Sequence, residues 1–159
     1  MNRKYNCEEF EKSVNIIRNA FSDVALTTDI IVGFPGETEK EFEKTYKFLQ
    51  KIDFSKMHIF KYSRREGTVA YNMKNQIKED IKELRSKELI ELSNKNEEKF
   101  LNNNIGKKVE VLFEQKEGEY IKGHTTNYIV VKTKGKVLPN TLETVNIIEK
   151  EGLELIGTM

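Results

Sequence analysis

The chain has 159 residues, a length that allows one ordinary domain or two small ones and excludes a large multidomain enzyme. Charged residues make up 33% and the apolar set 37%, the balance of a soluble globular chain, and no apolar run approaches the roughly 18 residues needed to span a bilayer. Lys and Arg number 27 against 26 Asp and Glu, a net charge of +1, so bulk charge neither favours nor disfavours nucleic acid as a partner.

The N-terminus is polar where a signal peptide would need an apolar stretch, so the expectation is a cytoplasmic protein with no membrane partner. The single cysteine, Cys7, excludes an intramolecular disulfide, a cysteine-rich zinc site and, by itself, an iron–sulfur cluster. It reads as an incidental thiol rather than a nucleophile. With only His58 and His124 in the chain, histidine-based metal sites are nearly excluded, and no metal ligand or catalytic residue is assigned.

In chain order, Phe10, Val14, Ile17 and Phe21 fall on one face of a predicted helix from Glu8 to Ala20, with Asn6 and Glu9 as its N-terminal signature. Val24 to Gly33 is rich in β-branched residues and ends in Ile30-Ile31-Val32, the pattern of a strand buried on both faces of a parallel sheet. Thr38 and Glu41 make a capping box for a helix reaching Ile52, and Met57 to Tyr62 reads as a second strand, giving βα units. Ile77, Ile81, Leu84, Leu89, Leu92 and Phe100 trace an apolar stripe on a charged helix from Lys78 to Asn102. From Ile105 the pattern becomes short alternating runs. Val109 to Phe113, Tyr120 to Gly123, Tyr128 to Lys132, Thr144 to Ile148 and Glu154 to Thr158 predict a compact all-β barrel. The boundary is placed so that residues 1–103 and 104–159 form the two domains.

The turn Gly33-Phe34-Pro35-Gly36-Glu37-Thr38 invites comparison with phosphate loops, but it has no Lys-Ser/Thr pair and no G-x-G-x-x-G spacing. A tight, well-capped βα turn is the plain reading. It leaves Gly33 unexplained at the end of a strand, where the lack of a side chain would let a flat ligand lie against the backbone. Ligands of open α/β sheets and α/β barrels sit at these carboxyl ends.

Thr27-Thr28-Asp29-Ile30-Ile31-Val32-Gly33-Phe34-Pro35-Gly36-Glu37-Thr38 closely resembles the fifth strand and loop of the radical S-adenosylmethionine methylthiotransferases, and Met1-Asn2-Arg3-Lys4-Tyr5 is similar to the segment before it. Tyr62-Ser63, Arg65, Gly67-Thr68 and Ala70 fit that family's Y-S-x-R-x-G-T-x-A pattern, with Arg64, Glu66 and Val69 where prolines are common. From Ile105 the chain resembles the TRAM domain, a small antiparallel, OB-like RNA-binding barrel. The resemblance thus implies an α/β plus all-β chain: the terminal part of an open (βα) radical-SAM barrel, then TRAM. His58-Ile59-Phe60 and Gly123-His124-Thr125-Thr126-Asn127-Tyr128 look most like the branch that methylthiolates N6-threonylcarbamoyladenosine at position 37 of tRNA; the isopentenyladenosine and ribosomal-protein branches are alternatives.

The family's full-length enzymes use S-adenosylmethionine and two 4Fe-4S clusters. Its Cys-x-x-x-Cys-x-x-Cys motif is not in this sequence, and Cys7 does not match it, so the chain is expected to be a catalytically inactive C-terminal piece carrying no cluster. The resemblance puts Ile31, Val32 and Gly33 near the adenine of S-adenosylmethionine, with Tyr62, Ser63 and Arg65 at the mouth of the next strand; packing would suit Tyr62 and Ser63 as well. Arg64 and Arg65 suit phosphate or carboxylate contact or a solvated patch. Asp29 within an apolar strand either pairs or orients a site residue. Glu37 favours a helix N-terminus, and His58 reads as a satisfied strand histidine rather than an acid or base.

In the barrel segment, Tyr120 to Lys136 holds Lys122, Lys132, Lys134 and Lys136 and no acid, while the twenty residues from Asn140 hold four Glu and one Lys. Tyr120, His124 and Tyr128 can stack on bases while the lysines meet phosphates, and Lys122, His124, Asn127, Tyr128, Lys132 and Lys134 are assigned as RNA-binding residues, with tRNA as partner. The missing domains of a parent chain are the other expected partners, and exposed strand edges the expected route to self-association. A stand-alone RNA-binding module and a small α/β metabolic enzyme are the competing classes. Partnerless strands argue against the first, and the lack of a catalytic Cys/His/Asp set argues against the second.

Overall fold

A computed structural model describes residues 3–159, so the comparison at Met1 and Asn2 lies outside the described residues. The chain divides into two units, one up to Asn96 and one from Glu97 to Met159. In order, the elements are α1 (Cys7–Ala20), β1 (Thr27–Val32), α2 (Glu39–Ile52), β2 (Lys56–Lys61), a 3-10 turn (Val69–Asn72), α3 (Glu79–Asn102), β3 (Lys108–Glu117), β4 (Tyr120–Thr125), β5 (Val130–Lys134), β6 (Thr141–Glu151) and β7 (Glu154–Thr158). No helix among the described residues is long and apolar enough to cross a membrane.

Both predicted capping boxes form. The Asn6 side chain accepts from the Glu9 amide and Thr38 from Glu41, with each glutamate bonding back to the cap amide. Between α1 and α2, β1 pairs in parallel with β2, Asp29 opposite His58 and Ile31 opposite Phe60. Val32, Met57, Phe42, Leu49, Ile52, Leu89 and Leu92 form the core beside this sheet. The other sheet face is bare, which corrects the expectation of a strand buried on both sides: Thr27, Asp29, Ile31, His58 and Phe60 are exposed. α1 also differs from its expected apolar face, because only Val14 is buried while Ile17 and Phe21 are exposed.

On α3 the buried residues of the first unit are Lys82, Arg85, Ser86, Leu89, Leu92, Ser93 and Asn96, whereas the predicted core residues Ile81 and Leu84 face solvent. Hydrogen bonding explains the inversion. Each buried cation reaches an acceptor on the strands' carboxyl side, and Ser93 Oγ both accepts from the Met57 amide at 2.9 Å and donates to the Met57 carbonyl at 3.0 Å.

The second unit is a closed five-stranded barrel in the order β3-β4-β5-β7-β6. Four of its pairings are antiparallel, but β5 and β7 close it in parallel, so an all-antiparallel barrel is corrected on that seam. Period-two alternation buries Val111 and Phe113 on β3, Ile121 on β4, Val131 on β5, Val145 and Ile147 on β6 and Leu155 on β7. Gly123 is obligatory here, because a Cβ at that position would lie 2.0 Å from the Leu112 carbonyl oxygen.

Candidate functional site

Two sets of residues stand out, one in each unit. In the first, the carboxyl ends of β1 and β2 are fixed by buried cations from α3 that no periodicity had marked. Arg85 Nη1 donates to Glu37 Oε2 at 2.7 Å, Nη2 to Glu39 at 3.0 Å, and the Gly33 amide donates to the same Glu37 oxygen at 2.7 Å. Glu37 is therefore more than a residue favoured by a helix dipole; it ties the βα turn to α3. Lys82 Nζ donates to the Tyr62 carbonyl at 3.1 Å, and its stem fills the space beside Gly33, where a Cβ would lie 2.3 Å from Lys82 Cγ. Gly33, at φ 71°, is thus demanded by a left-handed turn and a close-packed lysine.

The predicted cofactor residues fall around this clasp. Val32 and Gly33 are buried, Ile31 is exposed on the bare sheet face, and Ser63 and Arg65 are exposed after β2. Tyr62 packs edge-on to Phe34 at 5.3 Å between ring centres, and its hydroxyl is buried without a hydrogen-bond partner. Arg64 donates to the Tyr71 carbonyl and stacks over the Tyr71 ring, which leaves Arg65 as the outward arginine of the pair. Asp29 is exposed, so the cost of burying a carboxylate does not arise; with Thr28 and Ile31 it lines a cleft of about 640 Å³ beside β1, walled by Tyr5, Phe10 and Phe48.

The second set lies on the barrel wall. Cross-strand register places Lys122 opposite Lys132, Tyr120 opposite Lys134, and Leu112 opposite both His124 and Leu142. Each of the three assigned lysines is held by glutamates that lie outside the lysine-rich stretch of sequence. Lys122 pairs with Glu117 and, at 2.7 Å, with Glu154; Lys132 with Glu151 and, at 3.3 Å, with Glu154; Lys134 with Glu119 at 3.0 Å. The acid-free stretch read from the sequence is therefore not acid-free in space. The hydrogen bonds that Lys122, Lys132 and Lys134 donate to Glu117, Glu151 and Glu119 respectively are the largest influence raising the three ammonium pKa values, and the bond donated by Lys122 holds the Glu154 carboxyl below its usual range.

Tyr128 is the outlier. Instead of starting a strand, it sits in a tight loop at φ 64° with 86% of its surface exposed, which removes the option of a core role. Thr125 builds the loop: its hydroxyl donates to Asn127 Oδ1 at 2.5 Å and accepts from the Ile129 amide at 2.9 Å, and its carbonyl accepts from the Tyr128 amide. The Tyr128 ring lies 6.0 Å from that of His124, which is itself bonded to Glu114. Exposed Leu112 and Leu142 extend this surface and were missed in sequence, where alternation marks only which residues leave the core.

No protein-family model matches the chain. Individual relatives do. It is 40% identical over 163 residues to the tRNA-2-methylthio-N(6)-dimethylallyladenosine synthase of Oceanobacillus iheyensis, covering 100% of this chain and 31% of that protein. The chain is homologous to the radical S-adenosylmethionine methylthiotransferases. Among these methylthiotransferases, the ribosomal protein uS12 methylthiotransferase RimO of Thermotoga sp. (strain RQ2) is 39% identical over 86% of this chain and 34% of its own length. The threonylcarbamoyladenosine tRNA methylthiotransferase MtaB of Bacillus subtilis is 39% identical over 85% of this chain and 31% of its own. The chain spans about a third of the length of the curated methylthiotransferases it matches.

The groups that this family implies fit the described residues unequally. A 4Fe-4S cluster does not fit: one exposed thiol, Cys7, is present, and no three His, Cys, Asp or Glu side chains among the described residues are grouped as ligands. S-adenosylmethionine fits in part, since exposed Ile31 offers an apolar surface and the orphaned Tyr62 hydroxyl lacks a partner, while the space beside Gly33 is already taken by Lys82.

Proposed function

We propose that this chain is the carboxy-terminal portion of a cytoplasmic tRNA methylthiotransferase that modifies C2 of N6-threonylcarbamoyladenosine at position 37. In this reading, residues up to Asn96 are the last βα units of an open radical-SAM barrel and the five-stranded unit is a TRAM domain that holds tRNA. The bare face bearing Asp29, Ile31, His58 and Phe60 supports the first half of the reading, because in a barrel that face would be the lumen. S-adenosylmethionine would supply the radical chemistry with clusters borne elsewhere in the parent; here Ile31 and Tyr62 would contact the bound molecule, and Lys82 and Arg85 would hold the strand ends that carry them.

The observation that carries tRNA binding is Tyr128, an aromatic ring held outside the barrel in a left-handed conformation beside His124. Backbone strain kept at an exposed ring marks a position retained for contact rather than packing, and a ring so placed stacks on any unpaired base. The test is titration of the chain with tRNA bearing N6-threonylcarbamoyladenosine at position 37, with the unmodified tRNA, and with ribosomal protein uS12. Binding of tRNA, tighter for the modified form, is the expected result. Binding of uS12 with none to tRNA would replace the reading by the ribosomal-protein branch, a choice that exposed Leu112 and Leu142 beside glutamate-paired lysines would then explain.

A further inference from the structure

We propose that Glu154 is an internal substitute for an RNA phosphate: it fills an anion seat between Lys122 and Lys132, and unpaired RNA binds the barrel wall by displacing it. This rests on the RNA-binding reading above and specifies how that surface engages its ligand.

The seat is built by the sheet. Lys122 and Lys132 are directly opposite each other on β4 and β5, and their side chains are only 20% and 13% exposed, so packed stems hold the two ammonium groups in place. Glu154, at the start of β7, puts one carboxylate oxygen 2.7 Å from Lys122 and the other 3.3 Å from Lys132. One anion bridging two ammonium groups through two oxygens is the arrangement that a phosphodiester's two non-bridging oxygens would also satisfy. Glu117 and Glu151 differ from it, because each holds a single lysine from a far more exposed position.

Three carboxylates thus surround two ammonium groups, and a phosphate cannot approach without displacing one. Glu154 is the one to leave, since it alone occupies the shared position. The Tyr128 and His124 rings lie outside this network, so stacking makes the first favourable contact and exchange at the lysines follows.

The exchange has a measurable signature. When a lysine trades its own glutamate for a phosphate, the charge released is fixed to the protein, so RNA affinity depends on salt less steeply than the two lysines alone would require, roughly 0.7 in log–log slope per single-strand phosphate. Binding of a single-stranded oligouridylate of about ten nucleotides is to be measured across a salt series for the wild-type chain and for Glu154→Gln, Glu154→Ala, Glu151→Gln and Tyr128→Ala, with circular dichroism confirming the fold of each. Glu154→Gln should bind several-fold more tightly with a steeper salt dependence, Glu154→Ala should do the same if the glutamine variant misfolds, and Glu151→Gln should gain less. An unchanged affinity and slope in the folded Glu154 variants, or an equal gain from Glu151→Gln, overturns the proposal. The two claims separate cleanly: if the wild-type binds and Tyr128→Ala weakens it while the Glu154 variants do nothing, RNA binding stands and the substitute role falls. If the wild-type chain binds no RNA, both fall.

Discussion

Tyr128 sets its own stability against its use. An L-residue in the left-handed region costs about 1–2 kcal/mol, and glycine recovers that strain while giving back roughly 0.5–1 kcal/mol in unfolded-state freedom. Tyr128→Gly is therefore expected to leave the barrel's melting temperature unchanged or slightly raised while RNA affinity falls by about 1–3 kcal/mol; a parallel loss of stability and binding would show that the ring packs rather than stacks. Arg85 is the opposite kind of residue. Its side chain is 5% exposed and neutralises Glu37, at 15%, so Arg85→Ala strands a buried carboxylate at an expected cost of about 3–5 kcal/mol. Thermal or urea unfolding of Arg85→Ala beside the double variant Arg85→Met/Glu37→Met measures this, the double variant being the less damaged. Neither Arg85 nor Lys82 was legible in sequence: both sit at charged positions of a charged helix, and only the acceptors they meet, Glu37 and the Tyr62 carbonyl, distinguish them from solvated neighbours such as Glu83 and Lys87.

At the level of elements, local chemistry was legible and side-of-element assignments were less so. The capping residues Asn6 and Thr38 and the strand Glu154–Thr158 stand where the pattern put them, because caps and period-two alternation are decided within a few residues. α3 misled because its apolar Ile81 and Leu84 follow helical spacing as well as its true core face does, and spacing cannot show which face meets a neighbour. The lysines of β4 and β5 misled for a related reason: their glutamates stand at the ends of β3, β6 and β7 and in the β3–β4 turn, brought close by strand pairing and, for Glu151 and Glu154, by the β5–β7 seam. That network makes acid stability a property of the sheet. Glu154's carboxyl is held below its ordinary value of 4.5, chiefly by Lys122, so its contribution is present above about pH 4.5 and is lost as pH falls through the depressed value. Glu154→Gln should flatten part of the fall in melting temperature with acid; Glu41 and Glu79, depressed in the same direction, keep the remainder. At the β3–β4 pairing, Gly123→Ala should cost at least the roughly 1–3 kcal/mol of an overpacked core, since its Cβ would meet backbone rather than a yielding side chain.

For the whole molecule, the consequence of a two-stranded sheet is surface that nothing in the described residues covers. Ile31 and Phe60 lie opposite each other on the bare face, 39% and 51% exposed, and the cleft beside Thr28 and Ile31 leaves the free edge of β1 accessible. Sedimentation velocity should therefore show concentration-dependent self-association, and Phe60→Lys should weaken it without changing the circular dichroism spectrum; a wild-type chain that stays monomeric across the series would remove the bare sheet as the cause. The two edges of this sheet are unequal, however. On β2, the Ser93 hydroxyl occupies both the amide and the carbonyl of Met57, the groups an incoming strand would need. A ribbon with two open edges can add units without limit and grow into a fibre, whereas this one carries a plug at Met57 on one side. Ser93 thus plugs β2 at Met57, so a strand adding along that edge must first break two hydrogen bonds that an addition along β1 does not meet.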